Sequence, residues 1–212
     1  MGKAIPPKFR NLKNWDVPTM DEDYKPEIID WLRECMDGGN IIRYHAHPLT
    51  KSQDVSAHSH RVSLVVLAVW PECRQELLKA AVYHDLSELA TGDVPSTTKW
   101  AHPTLGTELN RVTTEWEKNR GLRVSLTRPE MIVLKLADMI EGAMFCMDRY
   151  RNGEQKGGLI ANAYIQASVE YLNENTFGAE NSTVLNTVQN NLMDLLSDLE
   201  ADYIATHKRL NP

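Results

Sequence analysis

At 212 residues, of which 42% are hydrophobic and 25% charged, the chain has the apolar content of one folded domain, which excludes wholesale disorder. Its longest apolar run, "LVVLAVW" over 64–70, falls short of the roughly 18 residues a membrane helix needs, so no membrane role is expected. A net charge of −6 argues against polymeric nucleic acid as a partner, because a phosphate backbone demands a basic stripe; a small anionic substrate held by a local cation cluster is still allowed.

Residues 1–24 hold Pro6, Pro7 and Pro18, with Pro26 just beyond, and little periodicity. They read as an extended arm ahead of a domain over 25–212. Their basic residues precede no apolar core of the signal-peptide kind, and Pro6 stands where a myristoylation signal has Ser or Thr. "PEIIDWLRECMDGG" reads as a helix with Ile28, Leu32 and Cys35 on one face, stopped at Gly38 and Gly39. "SAHSHRVSLVVLAVW" opens with Ser56 as its cap and ends at Pro71. "ECRQELLKAAVYHDLSELATG" reads as one helix closed by Gly92, with Leu77, Ala81, His84 and Glu88 on a single stripe.

Further helices are expected over 103–121 and over 128–153, the latter with Pro129 near its start and Gly153 at its end. "RNGEQKGG" between them and the next element reads as a plain loop, not a phosphate cradle, because its glycines follow a helix. Amphipathic helices over 158–174 and 182–208 complete the chain, and their surplus of apolar surface predicts a homo-oligomer interface. No alternating strands stand out, so the expected fold is all-α: a helical bundle of about seven helices around one core. Cys35, Cys73 and Cys146 are odd in number and lack CxxC spacing, which predicts reduced, mostly buried thiols in a cytoplasmic protein.

The third helix poses the chemical question. His84 and Asp85 directly follow "LLKAAVY", a segment expected to be buried, and a buried carboxylate beside an imidazole is costly without compensation. A divalent cation supplies it, and its remaining ligands should come from other helices of the bundle. His58, at the start of the second helix, and Asp138, inside "IVLKLADMIEGAMF", are the candidates. His60 lies about 200° round the helix from His58, so only one of the pair can face the ion, and His58 is favoured.

The set His58, His84–Asp85 and Asp138 resembles the metal-binding signature of the HD-domain phosphohydrolases. The segments "IIRYHAHPLTKSQDVSAHS", "YHDLSELATGDVPSTTKW" and "IVLKLADMIEGAMFC" are similar, within that superfamily, to the bacterial 5′-deoxynucleotidases and to viral triphosphohydrolases that remove dATP. The likeness spans about Gly39 to Met147. It implies an all-α HD fold, a deoxynucleotide substrate, and one divalent transition metal ion (Co, Mn, Zn, Ni or Fe), with Mg as a further companion of the phosphates. It also implies roles residue by residue: Glu88 in proton transfer, Asp93 at the sugar 3′-hydroxyl, Arg43 and Tyr44 against the nucleotide, and Lys99 on phosphate. Tyr44 suits stacking on a base, with Ala46 leaving room beside it. Relatives usually carry Glu ahead of the first metal histidine, where this chain has Ala57; the departure bears on a contact behind the ligand or in a proton relay, not on the ligand itself.

The expected reaction is metal-dependent hydrolysis of a deoxynucleotide phosphate ester, leaning to release of triphosphate from dATP, with Lys99, Arg43 and either Lys51 or Arg61 as the needed cations. The alternatives are a 5′-deoxynucleotidase acting on monophosphates and an inactive nucleotide-binding module. A purely structural helical protein would bind no metal.

Overall fold

The structure, a computed structural model, describes residues 28–46, 49, 51–175, 177 and 182–212; the arm expected over residues 1–24 lies outside them. The helices are α1 (Ile28–Gly39), α2 (Val55–Val69), α3 (Gln75–Tyr83), α4 (Glu88–Thr91), α5 (Ser96–Ala101), α6 (Pro103–Asn119), α7 (Arg128–Arg151), α8 (Gln155–Glu174) and α9 (Thr183–Leu210). Seven of these have nine residues or more, so the all-α expectation holds, and α4 and α5 are short additions between α3 and α6. A small antiparallel ladder joins β1 (Ile42–Arg43) to β2 (Gln53–Asp54), with Ile42 opposite Asp54 and Arg43 opposite Gln53. Strands of two residues are too short to show alternation, which is why none was expected.

The bundle is organised round α7, which packs against α2, α3, α8 and α9. Contacts on so many sides explain why its apolar residues do not form one stripe: Ile132, Val133, Leu136, Ile140, Ala143 and Met147 are all buried. Thr127 caps its first turn. The carboxylate of Glu130 accepts from Thr127 N at 2.8 Å, completing a capping box. The same carboxylate receives the guanidinium fork of Arg74 from the start of α3, at 2.7 and 2.6 Å, so one buried acid ties the start of α3 to α7. Those bonds from Arg74 outweigh burial and hold the Glu130 carboxyl down at about 2.

A turn over Asn152–Glu154 leads into α8, so the stretch read as a loop over 151–158 is half helix. Gly157 and Gly158 are not breakers there; they let α8 lie against α7. A Cβ on Gly157 would stand 2.8 Å from the Cys146 carbonyl oxygen, and one on Gly158 would stand 2.7 Å from the Tyr150 ring. The apolar stripes of α8 and α9, including Ile165, Leu172, Leu185, Val188, Leu192 and Leu196, turn into this chain's own core. Of the cysteines only Cys146 is buried, while Cys35 and Cys73 are half-buried, short of the expected burial because both sit near helix ends at the rim. Among the described residues no helix is long and apolar enough to cross a membrane.

Gly157→Ala is expected to cost about 1–3 kcal/mol through overpacking, although alanine favours a helix by about 1 kcal/mol; urea unfolding measures the balance. Folding lowers the Glu130 carboxyl from 4.5 to about 2, so its contribution to stability is complete above pH 4.5 and is lost as pH falls toward 2. Glu130→Gln should lower stability at pH 7 by about 1–3 kcal/mol, the range for charged hydrogen bonds. The gap from wild type should shrink across that acid window in pH-dependent unfolding.

Candidate functional site

The ladder delivers the chain into α2. Asp54, not Ser56, is the cap, its carboxylate accepting from Ala57 N at 2.7 Å; Ser56 lies one residue inside the helix, because Val55 already starts it. This places His58 in the first turn, fully buried. His60 is exposed on the other side.

The expected continuous helix over 72–92 is broken. α3 ends at Tyr83, and the chain then winds more tightly, with Leu86 N, Glu88 N and Ala90 N each bonded to the carbonyl three residues back at 3.0 Å. In such winding residues three apart eclipse, so Glu88 sits over Asp85 and not on a stripe with His84. Ser87, buried at the same turn, donates to Glu117 of α6 at 3.0 Å. The end of α6 is tied to α1 by the bidentate Arg120–Glu34 pair and by Trp31 Nε1 donating to the Arg120 carbonyl.

From α2, the α3 end and α7, four donor atoms converge. His58 Nε2 lies 3.2 Å from His84 Nε2, 3.2 Å from Asp138 Oδ1 and 3.4 Å from Asp85 Oδ2, and His84 Nε2 lies 3.5 Å from Asp85 Oδ2. Ligand atoms set tetrahedrally at about 2.0–2.1 Å from an ion stand about 3.3–3.4 Å apart, so the spacing fits a single metal ion. The other ring nitrogens fix the ring orientations. His84 Nδ1 donates to the Ala81 carbonyl at 3.0 Å and His58 Nδ1 donates to Glu141 Oε2 at 2.5 Å, which turns each Nε2 toward the cluster as its candidate ligand atom. His58, His84 and Asp138 form the set best placed to hold an ion, with Asp85 beside them.

The electrostatics favour positive charge at this point. Burial works to raise Asp85 and Asp138, but the imidazoles with Arg43 for the first, and His58 with Lys135 for the second, more than offset it, and both carboxyls stand below their ordinary range. Burial depresses His58, yet its bonds to Asp138 and Glu141 prevail and hold it up to about 9. Arg43, 8% exposed, places Nη1 3.6 Å from Asp85 and Nη2 3.9 Å from Asp138; Nη1 makes no hydrogen bond. Burial, then Asp85 and Asp93, push Glu88 up to about 8, and its Oε2 is buried without a partner. Lys99, in the last turn of α5, lies close enough to work against that rise.

Around this centre, Tyr44 takes a positive φ of 60°, donates its N–H to Asp93 Oδ2 at 3.2 Å and stacks on Phe145 at 5.3 Å. Ala46 is exposed two residues on, and Lys51 is exposed as well. Arg61 places Nη1 3.6 Å from Glu141 Oε1, the acid whose other oxygen meets His58 Nδ1. Three neighbours of the site were missed in the sequence. Glu141 was legible by the reasoning that found Asp138, being a lone acid one turn further along the same apolar helix. Lys135, donating to Asp138 Oδ2 at 3.0 Å, carried only its i−3 spacing, and Gln53, donating to Glu141 Oε1 at 2.7 Å, carried no signal.

The comparisons with known proteins bear on this arrangement. The chain is 27% identical over 197 residues to the dATP triphosphohydrolase of Salmonella phage PMBT28, covering 84% of this chain and 93% of that one. Its fold is similar to that of the cyanophage S-2L HD phosphohydrolase DatZ, solved with dA and one catalytic Zn2+ ion, with a TM-score of 0.59 at 19% identity over 84% of this chain and 98% of that one. The family model described as 5′-deoxynucleotidase YfbR-like matches residues 35–199, and the chain belongs to that family.

Proposed function

We propose that this chain is a metal-dependent phosphohydrolase that cleaves dATP with water into deoxyadenosine and triphosphate, its residues 25–212 acting as one catalytic domain. The observation that carries the reading is the convergence of His84 Nε2, Asp138 Oδ1 and Asp85 Oδ2 within 3.2–3.4 Å of His58 Nε2, a donor set suited to one divalent cation. The phage relative of that activity and the dA-bound, zinc-bound structural neighbour support it.

His58, His84, Asp85 and Asp138 hold one divalent transition metal ion, whether Co, Mn, Zn, Ni or Fe, with Mg able to accompany the phosphates. When bound, the ion lowers the pKa of water and polarises a phosphoryl oxygen. Glu88, which burial and Asp85 keep in its acid form up to about pH 8, donates a proton to the leaving sugar oxygen. Arg43, whose Nη1 makes no hydrogen bond, and Lys99 neutralise phosphate oxygens, where charge sits in the transition state. Asp93, already positioned by Tyr44 N, meets the sugar 3′-hydroxyl, while Tyr44 backed by Phe145 forms the wall for the base and Ala46 leaves it room. A second reading, a 5′-deoxynucleotidase acting on monophosphates, is favoured by the description of the family itself.

The chain is also proposed to be cytoplasmic, in keeping with its three free thiols, and to assemble with its own copies through residues that its core leaves out, such as Met193 and Ile204 of α9. Light scattering should give a mass above one chain, and a monomer at micromolar concentration would overturn the assembly.

Chromatography of products from a panel of deoxynucleoside mono- and triphosphates, with Mn, Co, Zn, Mg or chelator, tests the activity. Intact triphosphate from dATP is expected. Inorganic phosphate from dAMP would move the assignment to the nucleotidase, and binding without turnover would leave an inactive module. Asp138→Asn should abolish metal retention and turnover together, whereas Glu88→Gln should keep the metal and lose about 10²–10⁴-fold in kcat, the usual weight of one acid–base group.

A further inference from the structure

We infer that Glu141 is a positioning residue for the metal ligand His58, and that Gln53 of the ladder holds Glu141 in place. The inference rests on the metal-site reading above and deepens it. Glu141 lies one turn beyond Asp138 on α7 and is 2% exposed, within an otherwise apolar stretch. A carboxylate so placed is costly unless it is put to use. Its two oxygens are committed in different directions: Oε2 accepts from His58 Nδ1 at 2.5 Å, while Oε1 accepts from Gln53 Nε2 at 2.7 Å and faces Arg61 Nη1 at 3.6 Å.

The contact with His58 does three things at once. It fixes the tautomer, turns the ring so that Nε2 meets Asp85, Asp138 and His84, and makes that nitrogen more basic toward a cation. The other ligand imidazole is held differently, since His84 Nδ1 rests on the neutral Ala81 carbonyl. The charge behind the site is therefore delivered through His58. With Ala57 offering no acid, Glu141 supplies the carboxylate behind the first histidine from another helix. Gln53 is 3% exposed and stands directly opposite Arg43 in the ladder. One cross-strand pair thus reaches the back of the site through Gln53 and the front through Arg43.

The test uses the full chain as wild type, Glu141→Gln and Gln53→Leu. Affinity for Zn2+ is read by competition with a chromophoric chelator, the site geometry by the visible spectrum of the Co2+-loaded protein, and folding by circular dichroism and melting without metal. Glu141→Gln should weaken Zn2+ binding by about 10–100-fold, the usual effect of losing such a partner, and should shift the Co2+ bands while the helical signal is kept. Gln53→Leu should move both readouts in the same direction by less, and it decides the matter if Glu141→Gln does not fold. A folded variant with wild-type Zn2+ affinity and an unchanged Co2+ spectrum would overturn the inference, because a merely structural acid would change melting alone. A wild-type chain that binds neither Zn2+ nor Co2+ would instead sink the metal-site reading on which it rests.

Discussion

Where α2, the end of α3 and α7 meet, His84 Nε2, Asp138 Oδ1 and Asp85 Oδ2 stand 3.2–3.4 Å from His58 Nε2. Lone pairs withdrawn from water repel one another and lose their hydration, so this cluster is tolerable only where positive charge is supplied. Much of the surrounding polar structure does so. Arg43 spans the two acids from the ladder side, Lys135 holds the oxygen of Asp138 that faces away from His58, and Glu141 draws the His58 proton to the nitrogen behind the site. Lys135 and Glu141 engage atoms turned away from the cluster, whereas Arg43 stands 3.6 and 3.9 Å from Asp85 Oδ2 and Asp138 Oδ1 themselves, too far for hydrogen bonds that would close the cluster on itself.

Precision at such a centre depends on what carries the ligands. α7 spans 24 residues, is packed on several sides and is clamped at its start by the Thr127 cap and the Arg74–Glu130 pair. It contributes both Asp138 and Glu141, so the ligand and the acid behind its neighbouring ligand move as one body. Close approach of α8 through Gly157 and Gly158 stiffens the far half of the same helix. The tight winding after Tyr83 serves a different need. Its three-residue period leaves Glu88 over Asp85 with Oε2 buried, while His84 and Asp85 both reach the cluster.

The helices, and the meeting of His58, His84, Asp85 and Asp138, were legible in the sequence because both depend on local cost. Long apolar periodicities show as helices wherever the core is, and Asp138 stands out as an acid where burial is expected. What was not legible depends on contacts distant in sequence. The break at Tyr83 leaves no glycine or proline to mark it, since Gly92 comes nine residues after the true helix end. Gly157 and Gly158 look like a loop until α7 is placed beside them. Gln53 looks like any exposed polar residue, and only the pairing with Arg43, ten positions earlier, buries it against Glu141, 88 positions later. Ser56 has the residue type of a cap, but the helix starts two residues earlier than a Ser56 cap requires, with Asp54 in that role.

The segments proposed to meet the substrate are bound to one another, not simply gathered round the metal ligands. Tyr44 occupies the left-handed region at φ 60°, a conformation that costs about 1–2 kcal/mol for a residue with a Cβ, so something must repay it. Asp93 accepts the Tyr44 N–H, and Phe145 receives its ring. The sharp reversal that results ends β1 at Arg43 with its guanidinium directed at Asp85 and Asp138, while the next side chain folds back onto α7. Because Asp93 lies between α4 and α5, the same hydrogen bond joins the strand of Arg43 to the segment that carries Lys99. The strain at Tyr44 therefore secures the spacing of two cations contributed by separate elements, and the phosphate proposed to bind between them would meet a surface already assembled, with little ordering left to be done on binding.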